Sequence, residues 1–384
     1  MTDQTSSLTK RVKALALEAG FDLVGITTAE PFDDAERVAV ERLRAGLMDG
    51  LPWYNEARAR RGCHPSELLP QARSIIALGL NYRTAPPPKA TNDRLRGRVS
   101  RYAWGQDYHK VFERRVKALL PRLHDLGGEQ AKFYVDYGPM PDRAVAQRAR
   151  LGWFGKNTNI LVPGLGSWVF LGEIITDLDL EPDRPLKKSC GRCTTCIPAC
   201  PTGAIPAPYV IDNTRCISYH TIENRGHVPR ELRPLMGDWV FGCDVCQDVC
   251  PVNEPATLQV NVEFAAHSTD DAQPDLLAIL ELTEEAFEAR YRHSPVRRAK
   301  RIGLQRNACI ALGNLGDPKA VPALARALAT GESLVRGHAA WALGRLGGDA
   351  ARDAVVAAHK TETDPWVLEE ITLALDGLEE ASNP

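Results

Sequence analysis

No stretch of this 384-residue chain approaches the run of about 20 apolar residues that a membrane-spanning helix needs. Its first residues, MTDQTSSLTKRVKALALEAG, hold no apolar core of signal-peptide length. Charge of one sign is lacking too. Lys and Arg number 47 against 49 Asp and Glu, a formal net charge of −2, so any nucleic-acid contact must be a local patch. No G-x-G-x-x-G follows a strand and opens a helix, and no G-x-x-x-x-G-K-[ST] occurs, which leaves nicotinamide and nucleoside-triphosphate sites without support. These absences predict a cytoplasmic protein with no membrane partner and nothing to suggest more than a monomer.

What is abundant is cysteine, and it is clustered. Eight of ten lie between Cys190 and Cys250, while Cys63 and Cys309 stand apart and read as small buried apolar side chains. In a reducing compartment such clustering points to metal rather than disulfides. CGRCTTCIPACP, from Cys190 to Pro201, has the C-x2-C-x2-C-x3-C-P spacing of a [4Fe–4S] site, in which the proline-flanked fourth cysteine serves a second cluster. On that rule Cys190, Cys193 and Cys196 take one cube and Cys200 crosses to another. CDVCQDVCP, from Cys243 to Pro251, repeats the pattern one ligand short. Cys250, also before a proline, crosses back to the first cube, and Cys216 in TRCISYH completes the second with Cys200, Cys243 and Cys246. Zinc ribbons also use C-x2-C pairs, but zinc needs neither the third close cysteine nor two matching Cys-Pro ends. Two adjacent cubes pass single electrons, and that alone does not name a reaction.

Around this segment the sequence predicts an α+β multidomain protein. Helical periodicity at 8–19 and 107–126 alternates with apolar strands at 21–29, 72–82, 132–138 and 166–176, suggesting an α/β domain over 1–180. A ferredoxin-like block follows over 181–260. Over 261–384, ALGNLGD, ALGRLGG and ALDGLEE recur about every 31 residues, each closing an Ala/Leu-rich helix, with PKAVPALARAL and ARDAVVAAH as partner helices. That is a short α-solenoid of HEAT type. Arg290–Arg306 carries seven Lys/Arg and no acid, a candidate phosphate-backbone footprint including Arg297, Arg298, Lys300, Arg301 and Arg306. A second stretch, 94–109, interleaves Arg94, Arg96, Arg98 and Arg101 with Tyr102, Trp104 and Tyr108, which suits either ring stacking on bases or aromatic core packing.

The order of these parts resembles the epoxyqueuosine reductases, on RYAWGQDYH, VDYGPMPDRAVAQRARLGWFGKNTNI, the two cysteine runs, RCISY and RRAKRIGLQRNACIALGN. The resemblance covers nearly the whole chain. It implies a cobalamin-dependent reduction of epoxyqueuosine at the wobble position of a tRNA with a GUN anticodon, fed by a flavodoxin- or ferredoxin-type donor. It implies that Asp136, in Val-Asp-Tyr-Gly, donates the proton an opened epoxide needs, its pKa raised by burial under the corrin. Tyr137 departs from the family's small hydroxyl residue. Cobalamin contacts carry over to Ser100, Asp136, Ile160, Leu171, Ser218 and Asp244, with Arg61 as the nearest match to an arginine before the LLP turn. No D-x-H-x-x-G marks a histidine ligand for cobalt, since Lys-Val-Phe follows Asp107-Tyr108-His109. Two rival classes stay open: a corrinoid reductive dehalogenase-like enzyme, and a two-cluster electron carrier that is no enzyme.

Overall fold

The computed structural model describes residues 2–88, 93–258 and 262–380. The chain forms two compact units, each of discontinuous segments. The first comprises Met1–Ala85, Gln106–Thr214 and Val245–Ala265; the second comprises Pro86–Gly105, Arg215–Asp244 and Ala266–Pro384. The cysteine-rich block is thereby shared. Cys190, Cys193, Cys196, Cys200, Cys246 and Cys250 belong to the first unit, Cys216 and Cys243 to the second.

The first unit is built on four strands, β1 (Leu23–Thr28), β2 (Ser74–Asn81), β3 (Ala131–Tyr134) and β4 (Val169–Thr176), in the order β1-β2-β4-β3. Helices alternate with strands as the sequence suggests, and every pairing is antiparallel. All eight residues of β2 are buried, which is why its centre, IIALGL, reads as a continuous apolar run rather than an alternating one. Ile76 faces Ile26 on one side and Ile174 on the other, cross-strand pairs of β-branched side chains that suit a pleated core. Helix α1 (Thr2–Glu18) packs on β1. Helix α2 (Tyr108–His124) buries the adjacent pair Val111 and Phe112 and then Val116, Leu119 and Leu123 at intervals of three or four along one face. Phe112 meets Phe21 with ring centroids 4.9 Å apart. The site lies where this frame ends: α2 begins at Tyr108, and β3 runs out two residues before Asp136.

The second unit pairs the short strand Arg98–Val99 in parallel with β5 (Trp239–Phe241) and carries five C-terminal helices, α3 (Lys300–Leu315), α4 (Val321–Thr330), α5 (Ser333–Leu346), α6 (Asp349–His359) and α7 (Pro365–Glu380). Helix α5 packs between α3 and α7, with α4 and α6 as partners, so the repeats expected from the Ala-Leu-Gly motifs are present. Gly316 and Gly347, each the sixth residue of its motif, cap their helices at φ of 70° and 71°, positive values that favour glycine, with Gly316 in the left-handed helical conformation. A buried Arg233–Glu370 pair, two hydrogen bonds of 2.9 and 2.6 Å, ties the segment before β5 to α7.

Candidate active site

Asp136 sits at φ 58°, a left-handed turn at the end of the third strand that Asp tolerates better than most side chains. Its loop is held from two sides. Arg58 Nη2 donates to the carbonyls of Tyr137 and Gly138, both at 2.8 Å. Gly62 lies so close to Pro139 that a Cβ there would stand 1.8 Å from the Pro139 carbonyl oxygen. Tyr108 Oη donates to Asp136 Oδ2 at 2.7 Å, and Phe170 of β4 stacks on the Tyr108 ring at 4.3 Å. The neighbouring His109 ring places Nε2 3.8 Å from Asp136 Oδ2, an ion-pair distance too long for a direct hydrogen bond. Its Nδ1 donates to Asp107 Oδ1 at 2.7 Å.

Burial opposes a charge on His109, but Asp107 and Asp136 outweigh it and lift the ring's pKa to about 9. His109 is therefore an imidazolium at neutral pH. The expectation that burial sets the proton of Asp136 meets a different arrangement within the chain: its side chain is 61% exposed, and its neighbours are a phenol and a cation.

Behind the loop lies a pair of acids. Glu173 on β4 is buried, and Asp142, which opens the helix Asp142–Arg148, is half-buried with its Oδ1 cut off from solvent. Burial pushes both up, Asp142 to about 7, and the charge of Asp136 adds to each; Asp142 raises Glu173 further, while the hydrogen bond between them draws Asp142 back down. Two carboxylates this close cannot both ionise, so the pair keeps a proton. Nothing in the sequence marks these acids, one beside a turn proline and the other within a strand.

The cysteines are all free of disulfides. Cys190, Cys193 and Cys250 lie close enough to Cys196, and Cys190 and Cys193 close enough to Cys250, to disfavour ionisation there, joining the first run to the last cysteine of the second. Burial, followed by these charges, raises Cys196; hydrogen bonds from Thr195 hold Cys193 below the ordinary thiol value. The Ala204 N–H donates to Cys200 Sγ at 3.3 Å. Among the described residues no three Cys, His, Asp or Glu side chains converge as ligands of a single metal ion would. Cys63 and Cys309 are buried, and burial lifts the Cys63 thiol to about 11 and the Cys309 thiol further still.

The other candidates fall into the two units. In the first, Arg61 is exposed on the helix Glu56–Cys63, Ile160 is buried in the short strand Ile160–Leu161, and Leu171 is half-buried on β4. In the second, Ser100 Oγ donates to buried Asp244, whose other oxygen accepts from the Arg101 N–H at 2.7 Å, and Ser218 is half-buried in the helix Ile217–Ile222. The smaller basic stretch is largely spent inside this unit: Arg94, Arg96 and Arg98 pair with Asp275, Asp270 and Asp238, and Arg101 lies over the Trp104 ring.

One tRNA-binding expectation fails. Arg306 is 1% exposed, and its guanidinium donates to the carbonyls of Asn224, Gly226 and His220 and to Asn307 Oδ1. It is a strut inside the second unit, and no phosphate can reach it. Arg297, Arg298 and Lys300 are exposed, though Arg297 pairs with Glu288 and Arg298 with Glu223; Arg301 is half-buried between Glu284 and Glu332.

A clustered-thiol electron site, a carboxylate poised beside a proton source and a helical-repeat arm together define an iron–sulfur oxidoreductase. Family models match in the same order: epoxyqueuosine reductase over residues 62–137, a 4Fe–4S double cluster binding domain over 189–253 and HEAT repeats over 296–376. The epoxyqueuosine reductase of Bacillus cereus is 34% identical over 381 residues, covering 96% of this chain and 97% of that one. The crystal structure of an epoxyqueuosine reductase with an epoxyqueuosine-modified tRNA-Tyr stem loop superposes with a TM-score of 0.91 at 33% identity, covering 97% and 99% of the two chains. The Bacillus subtilis reductase, with its catalytic aspartate loop swung out of the active site, matches with a TM-score of 0.90 at 32% identity over 97% and 99%. The chain belongs to the epoxyqueuosine reductase family. Among the described residues no helix is long and apolar enough to cross a membrane.

Proposed function

We propose that this chain reduces epoxyqueuosine at the wobble position of a GUN-anticodon tRNA to queuosine, releasing water. The observation that carries the reading is one compact unit holding both a four-cysteine group suited to electron transfer and a carboxylate flanked by a phenol and an imidazolium. The near full-length match to a relative crystallised with a modified stem loop supports the substrate. In this reading residues 1–180 carry the chemistry, 181–260 the clusters and 261–384 the tRNA grip, and the protein works as a cytoplasmic monomer supplied by a flavodoxin- or ferredoxin-type donor.

Cys190, Cys193, Cys196 and Cys250 would hold one [4Fe–4S] cluster, and Cys200, Cys216, Cys243 and Cys246 the other. A corrin is apolar on its faces and rimmed with amides, so it needs apolar side chains and small polar partners. Arg61, Asp136, Ile160 and Leu171 of the first unit and Ser100, Ser218 and Asp244 of the second have that chemistry, and none is an imidazole or thiolate that would bind cobalt tightly. When bound, cobalamin supplies a low-valent cobalt able to open the epoxide, with electrons drawn singly from the clusters.

Everything else falls to side chains. Removing the epoxide oxygen as water and leaving a carbon–carbon double bond takes two electrons and two protons. Ring opening places negative charge on oxygen, and Asp136, in its acid form, donates there. His109 Nε2 holds the next proton, and Asp107 keeps that ring oriented through Nδ1. Covering the exposed Asp136 with substrate desolvates the His109–Asp136 ion pair and favours its neutral form, with the proton moved to the carboxylate. Tyr108 fixes Asp136 Oδ2 throughout. Arg297, Arg298, Lys300 and Arg301 face the tRNA backbone. Mass spectrometry of epoxyqueuosine-bearing tRNA after exposure to the reduced, cobalamin-loaded protein tests the whole: loss of one oxygen is expected, and unchanged tRNA from fully loaded protein would overturn it.

A further inference from the structure

From Arg184 to Ile211 the chain holds no Asp or Glu, although it carries Arg184, Lys187, Lys188 and Arg192. All four are exposed, and they bracket Cys190 and Cys193, the latter being the exposed cysteine of its group. Lys156 reaches the same loop, its Nζ donating to the Gly191 carbonyl at 2.9 Å, and it bears electrostatically on Cys193. Among the described residues none of these five cations has an acidic partner; Lys188 lies over the Trp153 ring instead. The nearby acid Asp183 is already engaged, accepting from Lys13 Nζ at 2.6 Å and from the Ile26 N–H at 2.8 Å. This contrasts with Arg297, Arg298 and Arg301, each neutralised by a glutamate. An unneutralised cationic rim around an exposed thiolate group has a specific use in redox chemistry. Transient electron-transfer contacts are small, and electrostatic attraction rather than buried area gives them speed and orientation.

We propose that the Arg184–Arg192 loop, with Lys156, is the docking surface for a small acidic one-electron carrier protein that reduces the Cys190–Cys193–Cys196–Cys250 centre. The proposal rests on reading those four cysteines as cluster ligands. In each encounter the carrier's reduced flavin or iron–sulfur group loses one electron and the centre gains one. Two encounters supply the two electrons that one epoxide consumes, and no bond is made or broken at the interface.

The test uses the intact cluster-loaded protein and the triple variant Lys187→Glu, Lys188→Glu, Arg192→Glu, with a purified acidic flavodoxin in its hydroquinone form as the probe. Stopped-flow absorbance at low salt is expected to show cluster reduction slowed at least about tenfold in the variant. The wild-type rate should fall toward the variant's as salt shortens the screening length below about 8 Å. Dithionite, a small anion that needs no docking face, should bleach the clusters of both proteins to the same extent, and iron content should match. Equal flavodoxin rates in the two proteins would overturn the proposal. So would a variant that keeps its flavodoxin rate but loses tRNA stem-loop binding, because the surface would then serve RNA. Absence of any dithionite-bleachable absorption in the wild type would remove the cluster reading itself, a failure distinct from the other two.

Discussion

The Tyr108 hydroxyl donates to Asp136 Oδ2 across 2.7 Å, while the next residue along the same helix start, His109, sets its Nε2 3.8 Å from the same oxygen. One helical N-terminus therefore supplies both the group that aims the carboxylate and the group that can protonate it. Replacing Asp136 with Asn keeps the shape and removes the acid, so turnover is expected to fall by about 100-fold to 10,000-fold with cluster and cobalamin content unchanged. Tyr108→Phe removes one hydrogen bond to a charged group and should cost about tenfold. Single-turnover assays on modified tRNA check both.

His109 makes a pH prediction whose sign follows from its raised value. Its folded pKa is about 9 against an unperturbed 6.5. The stability it contributes is fully present below about 6.5 and disappears as pH rises through about 9. Urea denaturation of wild type and His109→Gln should give a stability gap that narrows across this window. Turnover should fall over its upper part as the proton reserve empties. A gap that widens with pH would contradict the ion pair.

The acid pair behind the loop works in the same direction for a different reason. Burial and the nearby charge of Asp136 push both Asp142 and Glu173 up, so the folded chain binds a proton that the unfolded chain releases near pH 4. Wild-type stability should therefore decline as pH rises above the carboxylate range, by up to about 1.4 kcal/mol per pH unit for one retained proton. Asp142→Asn, similar in shape but uncharged, should flatten that decline, as measured by denaturant midpoints at a series of pH values.

How much of this was legible depends on how local the signal is. The four cysteines of the first run lie within eleven residues, and the repeat motifs recur at a nearly fixed interval, so spacing alone reveals both. The strands of the first unit are readable because Ile75, Ile76, Ile174 and Ile175 are buried in continuous apolar runs. The acid pair was invisible because Asp142 and Glu173 lie 31 residues apart and only the packing of the helix Asp142–Arg148 on β4 brings them together. Arg58 was hidden similarly, its partners being backbone carbonyls 79 and 80 residues away.

That Arg58 contact leads to an experiment of its own. Two 2.8 Å bonds to consecutive carbonyls fix the loop carrying Asp136, and the Bacillus subtilis relative has the corresponding loop swung out. Arg58→Ala should let the loop leave its place more often. Hydrogen exchange at residues 135–140 is expected to quicken, and turnover to drop by about 10-fold to 100-fold through misplacement of the acid. The KM for tRNA should move little, because Arg58 grips the loop rather than the substrate.

Arg306 and Lys300 separate structure from binding within one basic run. Sequence gives both a positive charge; burial gives them opposite work. Arg306 satisfies three backbone carbonyls and Asn307 in the core of the second unit, so Arg306→Ala strands those acceptors and opens a cavity. A loss of about 3–5 kcal/mol in unfolding free energy is expected. Lys300 is exposed, and Lys300→Glu should leave stability within about 0.5 kcal/mol while weakening tRNA binding and reducing the slope of log affinity against log salt by about one. Thermal denaturation and a salt titration of stem-loop binding measure both effects. If Lys300→Glu bound tRNA with an unchanged slope, the basic run would be a solvated helix face, and the RNA grip would have to lie elsewhere on the repeats.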